Sequence, residues 1–143
     1  MEEYVQLRIN SAMQRNPRAN RSVLEFIFNF WFAAGTDIAS QNTIITLFLH
    51  GYCYYFALML KDAFQDGEIC WAAPFGHIVF LYQGLAYDIE GLYAGESDLF
   101  VPVSRLGRAI DDFRHVPGVQ YNATDQEIAR IMVEYREEQK KTA

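Results

Sequence analysis

The sequence predicts an α+β domain, with helices first, a small antiparallel sheet in the middle and further helices at the end. Three observations lead to this prediction. Apolar residues recur at helical spacing near both ends of the chain, runs of β-branched and aromatic residues bounded by turn residues fill the middle, and 51% of the 143 residues are hydrophobic. Because that fraction is enough to build a core without disulfides or a metal, we expect one domain over residues 1–143.

Two helices are predicted in the first part of the chain, over residues 3–14 and 22–34. The stretch "RNPRANRS" between them has the composition of a loop. Ser22 is the expected N-cap of the second helix, with Glu25 completing a capping box. Gly35 is expected to end that helix.

A third segment is expected from Thr36, as its cap, to about Leu49, but the β-branched "TIITLF" leaves open whether it is a helix or a strand. The next helix is predicted from Cys53 to Phe64 and to stop by Gly67. Its apolar residues fall at helical spacing and share a stripe with the cysteine: Phe56, Ala57, Leu60 and Phe64.

The middle of the chain is predicted to form an antiparallel sheet. "EICWAA", residues 68–73, is typical of a buried strand, and "HIVFLYQGLAYDIEGL" is typical of a β-hairpin that turns at Gln83 and Gly84. "DLFVPVS" is the expected last strand, at an edge or a bulge because of Pro102.

Helices are predicted again after the sheet. Ser104 is the expected cap of a helix through about Phe113, and "VPGVQYNA", residues 116–123, is a predicted loop. Thr124 and Glu127 form a second capping-box pattern before the final helix. The apolar stripe of that helix is Ile128, Ile131, Met132 and Tyr135.

The predicted hairpin brings polar residues to one place. With a two-residue turn at Gln83 and Gly84, Tyr82 pairs with Leu85, which puts His77 opposite Glu90 and diagonal to Asp88 on one face. Asp88 and Glu90 are therefore both candidates to contact the imidazole.

Cys53, His77 and Asp88 together suit nucleophilic catalysis. A helix N-terminus and an imidazolium both favour the reactive thiolate over the thiol. His77 would take the thiol proton and return it to a leaving group, and Asp88 would orient the ring. The competing interpretation is that Cys53 is a core residue, as most cysteines on apolar stripes are.

"GYCYYFALML" and "GHIVFLYQGLAYDIEG" resemble the core of papain-like cysteine hydrolases, in the branch containing NlpC/P60 and transglutaminase-like proteins. The resemblance implies a papain-like core, in which the helix that starts at the nucleophile packs on a small antiparallel sheet with extra helices at both ends. It also favours Asp88 over Glu90 as the third residue. Tyr52 and Tyr87 flank the triad and are expected to line a substrate groove. The oxyanion donor stays open between the Cys53 N–H, Tyr52 and His50.

Charge and composition exclude several classes of function. The net charge of −6 and a pI near 5.0 argue against a nucleic-acid partner. Two cysteines are too few for a disulfide framework, and none of the spacings indicates a metal or other cofactor. No signal peptide is recognised, and the apolar segment 23–35 is too short for stable membrane insertion, so a cytoplasmic location is expected.

These observations predict a thiol hydrolase or acyl-transferase that acts on amide or isopeptide bonds of a peptide or protein substrate. On the resemblance, this would be a papain-like cysteine peptidase or amidase, or a transglutaminase-like enzyme. The alternative is a binding or scaffold protein without turnover, with the aromatic-rich N-terminal third as its interface. The oligomeric state is left open.

Overall fold

The computed structural model describes residues 2–119 and 121–142, and over these residues the chain has the predicted α+β architecture. The helices before the sheet are α1 (Glu2–Arg15), α2 (Arg21–Ala34), α3 (Ile38–His50) and α4 (Cys53–Ala63). The strands are β1 (Glu68–Ala73), β2 (Ile78–Tyr82), β3 (Leu85–Asp88), β4 (Gly91–Leu92) and β5 (Leu99–Pro102). Two 3₁₀ turns (Val103–Arg105 and Gly107–Ile110), α5 (Asp111–Arg114) and α6 (Asp125–Thr142) follow.

The five strands form one antiparallel sheet in the order β4-β3-β2-β1-β5. The turn between β2 and β3 is at Gln83 and Gly84, as predicted, and both residues have positive φ, of 51° and 83°. Two such residues match the right-handed twist of the flanking strands. Tyr82 consequently pairs with Leu85, which confirms the predicted register.

The hairpin is shorter than predicted. β3 ends at Asp88, and the chain turns back there so that Gly91 of β4 pairs with Asp88. Glu90 therefore lies in a turn and does not pair with His77, contrary to the extended register. Trp31 of α2 holds this turn, because its Nε1 donates a hydrogen bond of 2.6 Å to the Ile89 carbonyl oxygen.

Several helix boundaries differ from the predictions. Asn20 caps α2 by accepting from the Val23 N–H, and Asp37 caps α3 by accepting from the Ser40 N–H, in place of Ser22 and Thr36. The ambiguous third segment is helical.

After the sheet, the helix predicted from Ser104 is instead two 3₁₀ turns and the short α5. Gly107, at φ 56°, interrupts any continuous helix there. The predicted loop 116–123 includes Gln120, which lies outside the described residues. The capping box of α6 is confirmed, because Thr124 Oγ1 accepts from the Glu127 N–H and Glu127 Oε1 accepts from the Thr124 N–H.

The core has apolar clusters on both faces of the sheet. One face carries α4, whose buried residues Cys53, Phe56, Ala57 and Leu60 point toward β1 and β2. The aromatic residues of α2 belong largely to this core: Phe28 and Trp31 are buried, and Phe26, Phe30 and Phe32 pack against the same cluster. Cys70, Ala72, Val79 and Ala86 form the cluster on the opposite face.

No single helix among the described residues has both the length and the apolar composition needed to cross a bilayer. The consecutive helices α3 and α4 meet that test only when taken as a pair, and their axes are bent by 97°.

Replacing Gly67 with alanine tests how tightly the chain is packed where α4 gives way to β1. A Cβ at Gly67 would lie 2.0 Å from Cζ of the fully buried Phe80, so the ring would have to move. Overpacking of this kind is expected to cost about 1–3 kcal/mol of unfolding free energy, measured by urea denaturation. The matched control is Gly76→Ala, since a Cβ there meets nothing within 4 Å. Equal stability of the two variants would contradict the packing described.

Candidate functional site

The N-terminus of α4 meets the start of β2, the central strand of the sheet. Cys53 is the first residue of α4, and the backbone N–H of Ile78 donates a hydrogen bond to its Sγ over 3.4 Å. His77 immediately precedes β2, so its side chain leaves the chain beside the same sulfur. Helix packing and strand pairing together therefore bring residues 24 positions apart, 53 and 77, into one site.

His77 and Asp88 are directly bonded. His77 Nε2 lies 2.9 Å from Asp88 Oδ2, and the two side chains are only 14% and 7% exposed. Since an ionised carboxylate only accepts hydrogen bonds, the proton in this bond belongs to Nε2. Nδ1 is then the ring nitrogen available to Cys53. The hydrogen bond between Cys53 and the imidazole raises the pKa of His77.

Asp88 is also fixed on its other oxygen, because Oδ1 accepts a hydrogen bond of 2.8 Å from the Glu90 N–H. The turn after β3 thus supplies the donor that holds the carboxylate in place. Glu90 contributes its backbone to the site, while its exposed side chain does not bond His77. Of the two acids left open by the sequence, Asp88 contacts the imidazole.

The surroundings of His77 favour its charged form. Burial is the strongest influence and lowers the pKa, but the hydrogen bonds to Asp88 and Cys53 and the coulombic attraction of both groups outweigh it. Together they raise the pKa of His77 from its ordinary 6.5 to about 9. The ring is therefore an imidazolium at neutral pH.

The two cysteines have different surroundings. Cys53 is 7% exposed and lines a cleft, whereas Cys70 of β1 is fully buried on the far face of the sheet. Burial, with a smaller coulombic effect of Glu68, raises the pKa of the Cys70 thiol to about 12. Cys70 is consequently an un-ionised core thiol, as expected for a cysteine inside a strand.

Two clefts flank the triad and share Leu49, His50 and Gly76. The first, of about 570 Å³, is here named the thiol-side cleft, and the residues of interest that line it are Cys53, Trp71, Phe75, Asp112, Phe113 and Asp125. The second, of about 410 Å³, is the imidazole-side cleft, lined among others by His77, Asp88, Glu90 and Tyr93. The two clefts thus meet beside Cys53 and His77.

Neither of the two predicted groove tyrosines is among the described residues that line the two clefts. Tyr52 precedes Cys53, is 42% exposed, and packs its ring against His115, which lines the thiol-side cleft. Tyr87 is 1% exposed, and its hydroxyl oxygen accepts a hydrogen bond of 2.8 Å from the Asn20 N–H. Tyr87 is therefore packed away from the clefts, because its register position opposite Phe80 turns its side chain to the helix-covered face of the sheet.

Tyr93 is a site residue that the sequence did not single out. Its ring stacks on the His77 ring, with centroids 5.8 Å apart and an interplanar angle of 26°. Gly95 allows this position, because a Cβ there would lie 2.1 Å from the Tyr93 hydroxyl oxygen. Ser97 ties the same loop to β1 by donating from Oγ to the Ala73 carbonyl oxygen over 2.7 Å. No periodic pattern predicts a stack made by a loop residue.

The start of α4 can also contribute backbone donors. No side chain caps this helix, and the first N–H groups of any helix lack intrahelical acceptors. The Cys53 N–H is therefore one of the backbone donors that the start of this helix leaves available. Within residues 2–119 and 121–142, no group of three histidine, cysteine or acidic side chains could hold a metal ion.

NMR titration of the His77 imidazole is expected to give a midpoint at about 9. Asp88→Asn removes the carboxylate and is expected to lower that midpoint toward 6.5. Cys53→Ser keeps the hydrogen bond between His77 and Asp88, so it should lower the midpoint less than Asp88→Asn does. A midpoint that is the same in all three proteins would mean that neither group interacts with the ring.

The same shift predicts how stability depends on pH. The folded-state pKa of His77 is above its unfolded value. The interaction of His77 with Asp88 therefore makes its full contribution to the unfolding free energy below pH 6.5, and this contribution is lost as pH rises through about 9. The difference in unfolding free energy between the wild type and Asp88→Asn should therefore shrink over that interval in urea titrations. A difference that grows with pH would contradict the assigned direction.

Comparison with known proteins matches most of the chain to one family model. The model of the family described as Phage YunG-like protein matches residues 35–132, more than half of the chain, and this range contains Cys53, His77 and Asp88. No curated protein and no solved structure matches the chain.

This match corrects the resemblance drawn from the sequence. The chain was expected to be a papain-like cysteine hydrolase of the NlpC/P60 or transglutaminase-like branch, but the matching family is not a known cysteine peptidase family. The assignments as a papain-like cysteine peptidase or amidase, or a transglutaminase-like enzyme, are therefore wrong. The order Cys, His, Asp misleads because the same constellation recurs on unrelated folds. The chain belongs to the Phage YunG-like protein family.

Proposed function

We propose that Cys53 is the nucleophile of an acyl-transfer site that acts on amide or isopeptide bonds of a peptide or protein. The observation that supports this most strongly is the linked array of Cys53 Sγ, the His77 ring and the Asp88 carboxylate, with His77 Nε2 bonded to Asp88 at 2.9 Å. A nucleophile within reach of a base, and a base oriented by a third group, is the arrangement that covalent catalysis requires.

In the first step, the Cys53 thiolate attacks the substrate carbonyl carbon, and a C–S bond forms as the carbonyl electrons move to oxygen. The Cys53 N–H at the start of α4 donates to the oxyanion. The C–O double bond then re-forms, the C–N bond breaks, and His77 Nδ1–H gives its proton to the leaving amine. The product is a thioester on Cys53.

In the second step, the now neutral Nδ1 of His77 takes a proton from water or from an acceptor amine, which attacks the thioester carbonyl. The C–S bond breaks, and the thiolate returns beside an imidazolium. Asp88 keeps Nε2–H in place throughout, so the ring always presents Nδ1 to the sulfur. Tyr93 covers one face of the ring and limits its rotation.

Iodoacetamide labelling tests the nucleophile without a known substrate. At about pH 6, Cys53 is expected to be alkylated roughly tenfold or more faster than Cys70, because thiolate and access control the rate. His77→Ala should remove most of this advantage, and Asp88→Asn should reduce it. Peptide mapping by mass spectrometry gives both rates in one sample.

Two controls make the labelling result specific. Cys70→Ser should change the rate at Cys53 far less than His77→Ala does, since Cys70 and Cys53 belong to different apolar clusters, and the cluster of Cys70 meets the site through Tyr93, which stacks on His77. Thermal melting of each variant confirms folding before labelling. Equal, slow alkylation of both thiols in the folded wild type would exclude an activated nucleophile at Cys53.

A second candidate function is binding without turnover, and one surface feature favours it. A groove of about 540 Å³ between α1 and the start of α3 is lined by exposed apolar residues: Tyr4, Leu7 and Ile38. This candidate differs from the predicted aromatic interface, because most aromatic residues of α2 belong to the core. If binding is the only function, Cys53→Ser would leave it intact, and labelling would not distinguish the two cysteines.

A further inference from the structure

We infer that the thiol-side cleft receives a substrate side chain with an apolar stem and a cationic head, of the lysine or arginine type. The inference rests on the proposed function, because only a nucleophilic Cys53 makes the cleft a substrate site. It is carried by the walls of the cleft, by its charges and by one oxygen atom of Asp112.

The walls of the cleft suit a hydrocarbon stem. The rings of Trp71 and Phe113 lie side by side, with centroids 6.4 Å apart, and Phe75 at 45% exposure stands at the surface of the same cleft. Trp71 Nε1 donates to the Phe75 carbonyl oxygen, which holds the loop that carries Phe75. Trp71 is 1% exposed and supports the wall from beneath, so methylene groups would be removed from water mainly against Phe113 and Phe75. Aromatic faces also attract cations.

The charged residues that line the cleft are acidic. Asp112 and Asp125 line it, and none of its lining residues is a lysine or arginine over the part of the chain that the structure describes. His50 and His115 are the other titratable side chains besides Cys53. The nearest arginine along the chain, Arg114, pairs with Asp111 over 3.7 Å and lies over the Tyr54 ring, so Asp112 is not neutralised by it.

Asp112 has one oxygen that lacks a partner. Its Oδ2 accepts a hydrogen bond of 2.8 Å from the Ala123 N–H, whereas Oδ1 is buried and has no hydrogen-bond partner among the described residues. A buried carboxylate oxygen without a donor is unfavourable, and such groups are rare unless a ligand or water satisfies them. Asp112 as a whole is partly exposed and lines the cleft, so an ammonium or guanidinium that enters the cleft meets this carboxylate, and a small rotation of the side chain would let Oδ1 accept a hydrogen bond from it.

Three alkylating probes that share one reactive group test the inference. They are N-(5-aminopentyl)-, N-hexyl- and N-(5-carboxypentyl)-2-chloroacetamide, in which Sγ displaces chloride from the same carbon and only the end of the tail differs. We expect the ammonium probe to alkylate Cys53 about fivefold or more faster than the hexyl probe, as one favourable contact between unit charges allows. The carboxylate probe should be the slowest. Intact-mass kinetics give the second-order rate constants.

Variants locate the source of the preference. Asp112→Asn removes the charge and keeps an acceptor for the Ala123 N–H. Asp125→Asn removes an exposed charge at the start of α6, so this variant should fold. Each is expected to reduce the ratio of ammonium to hexyl rates. Asp66→Asn is the matched control, because it changes the net charge by the same amount far from the cleft. Asp66 follows the C-terminal end of α4, and the 11 residues of that helix, about 16 Å, separate it from Cys53. An equal reduction by Asp66→Asn would assign the preference to net charge and overturn the inference.

Failure of this inference is distinguishable from failure of the proposed function. If iodoacetamide alkylates Cys53 faster than Cys70 in a manner that depends on His77, but the ammonium and hexyl probes react equally, the substrate class is wrong and the nucleophile stands. If neither iodoacetamide nor any chloroacetamide prefers Cys53 to Cys70, both proposals fail.

Discussion

The site depends on the contact between the start of α4 and the start of β2, where the Ile78 N–H meets Cys53 Sγ. This contact joins the last helix before the sheet to a central strand of that sheet. It exists because Phe56, Ala57 and Leu60 pack the body of α4 against the core and leave the helix N-terminus beside the first residue of β2. Any change that slides the helix along the sheet would separate the sulfur from His77.

The buried pair of His77 and Asp88 is the second constraint. Burying charged groups is costly unless each is paired and its remaining hydrogen-bonding capacity is used. Here both oxygens of Asp88 are occupied, one by His77 and one by the Glu90 N–H. The tight turn from β3 to β4 provides that N–H, and Trp31 holds the turn from the helix side. The orientation of the imidazole therefore depends on a turn that acts through a backbone N–H.

The sequence predicted the parts of the fold that local chemistry determines. The turn at Gln83 and Gly84 set the register, and the register put Asp88 on the same face as His77, where the structure has them bonded. The capping box of α6 was predicted for the same reason, since its donors and acceptors lie within four residues of each other. Where several polar residues precede a helix, as before α2 and α3, the sequence did not identify which of them is the cap.

Features that depend on tertiary contacts were predicted less well. The hairpin was expected to extend to Glu90, because nothing local indicates that the chain folds back to form β4. Tyr93 reaches His77 from a loop, and Asp112 reaches the thiol-side cleft from a short helix, so neither has a periodic signal. The family was misassigned for a related reason. Three residues in a familiar order describe a chemistry that unrelated folds share.

Acylation of Cys53 is the most direct test of the central claim that this thiol accepts an acyl group with the help of His77. The folded protein would be mixed with p-nitrophenyl acetate, and intact and peptide masses would be recorded over time. We expect an acetyl group on Cys53 that hydroxylamine removes, that is absent in Cys53→Ser and that forms much more slowly in His77→Ala. No acetyl group at position 53, or equal acetylation in the wild type and His77→Ala, would contradict it.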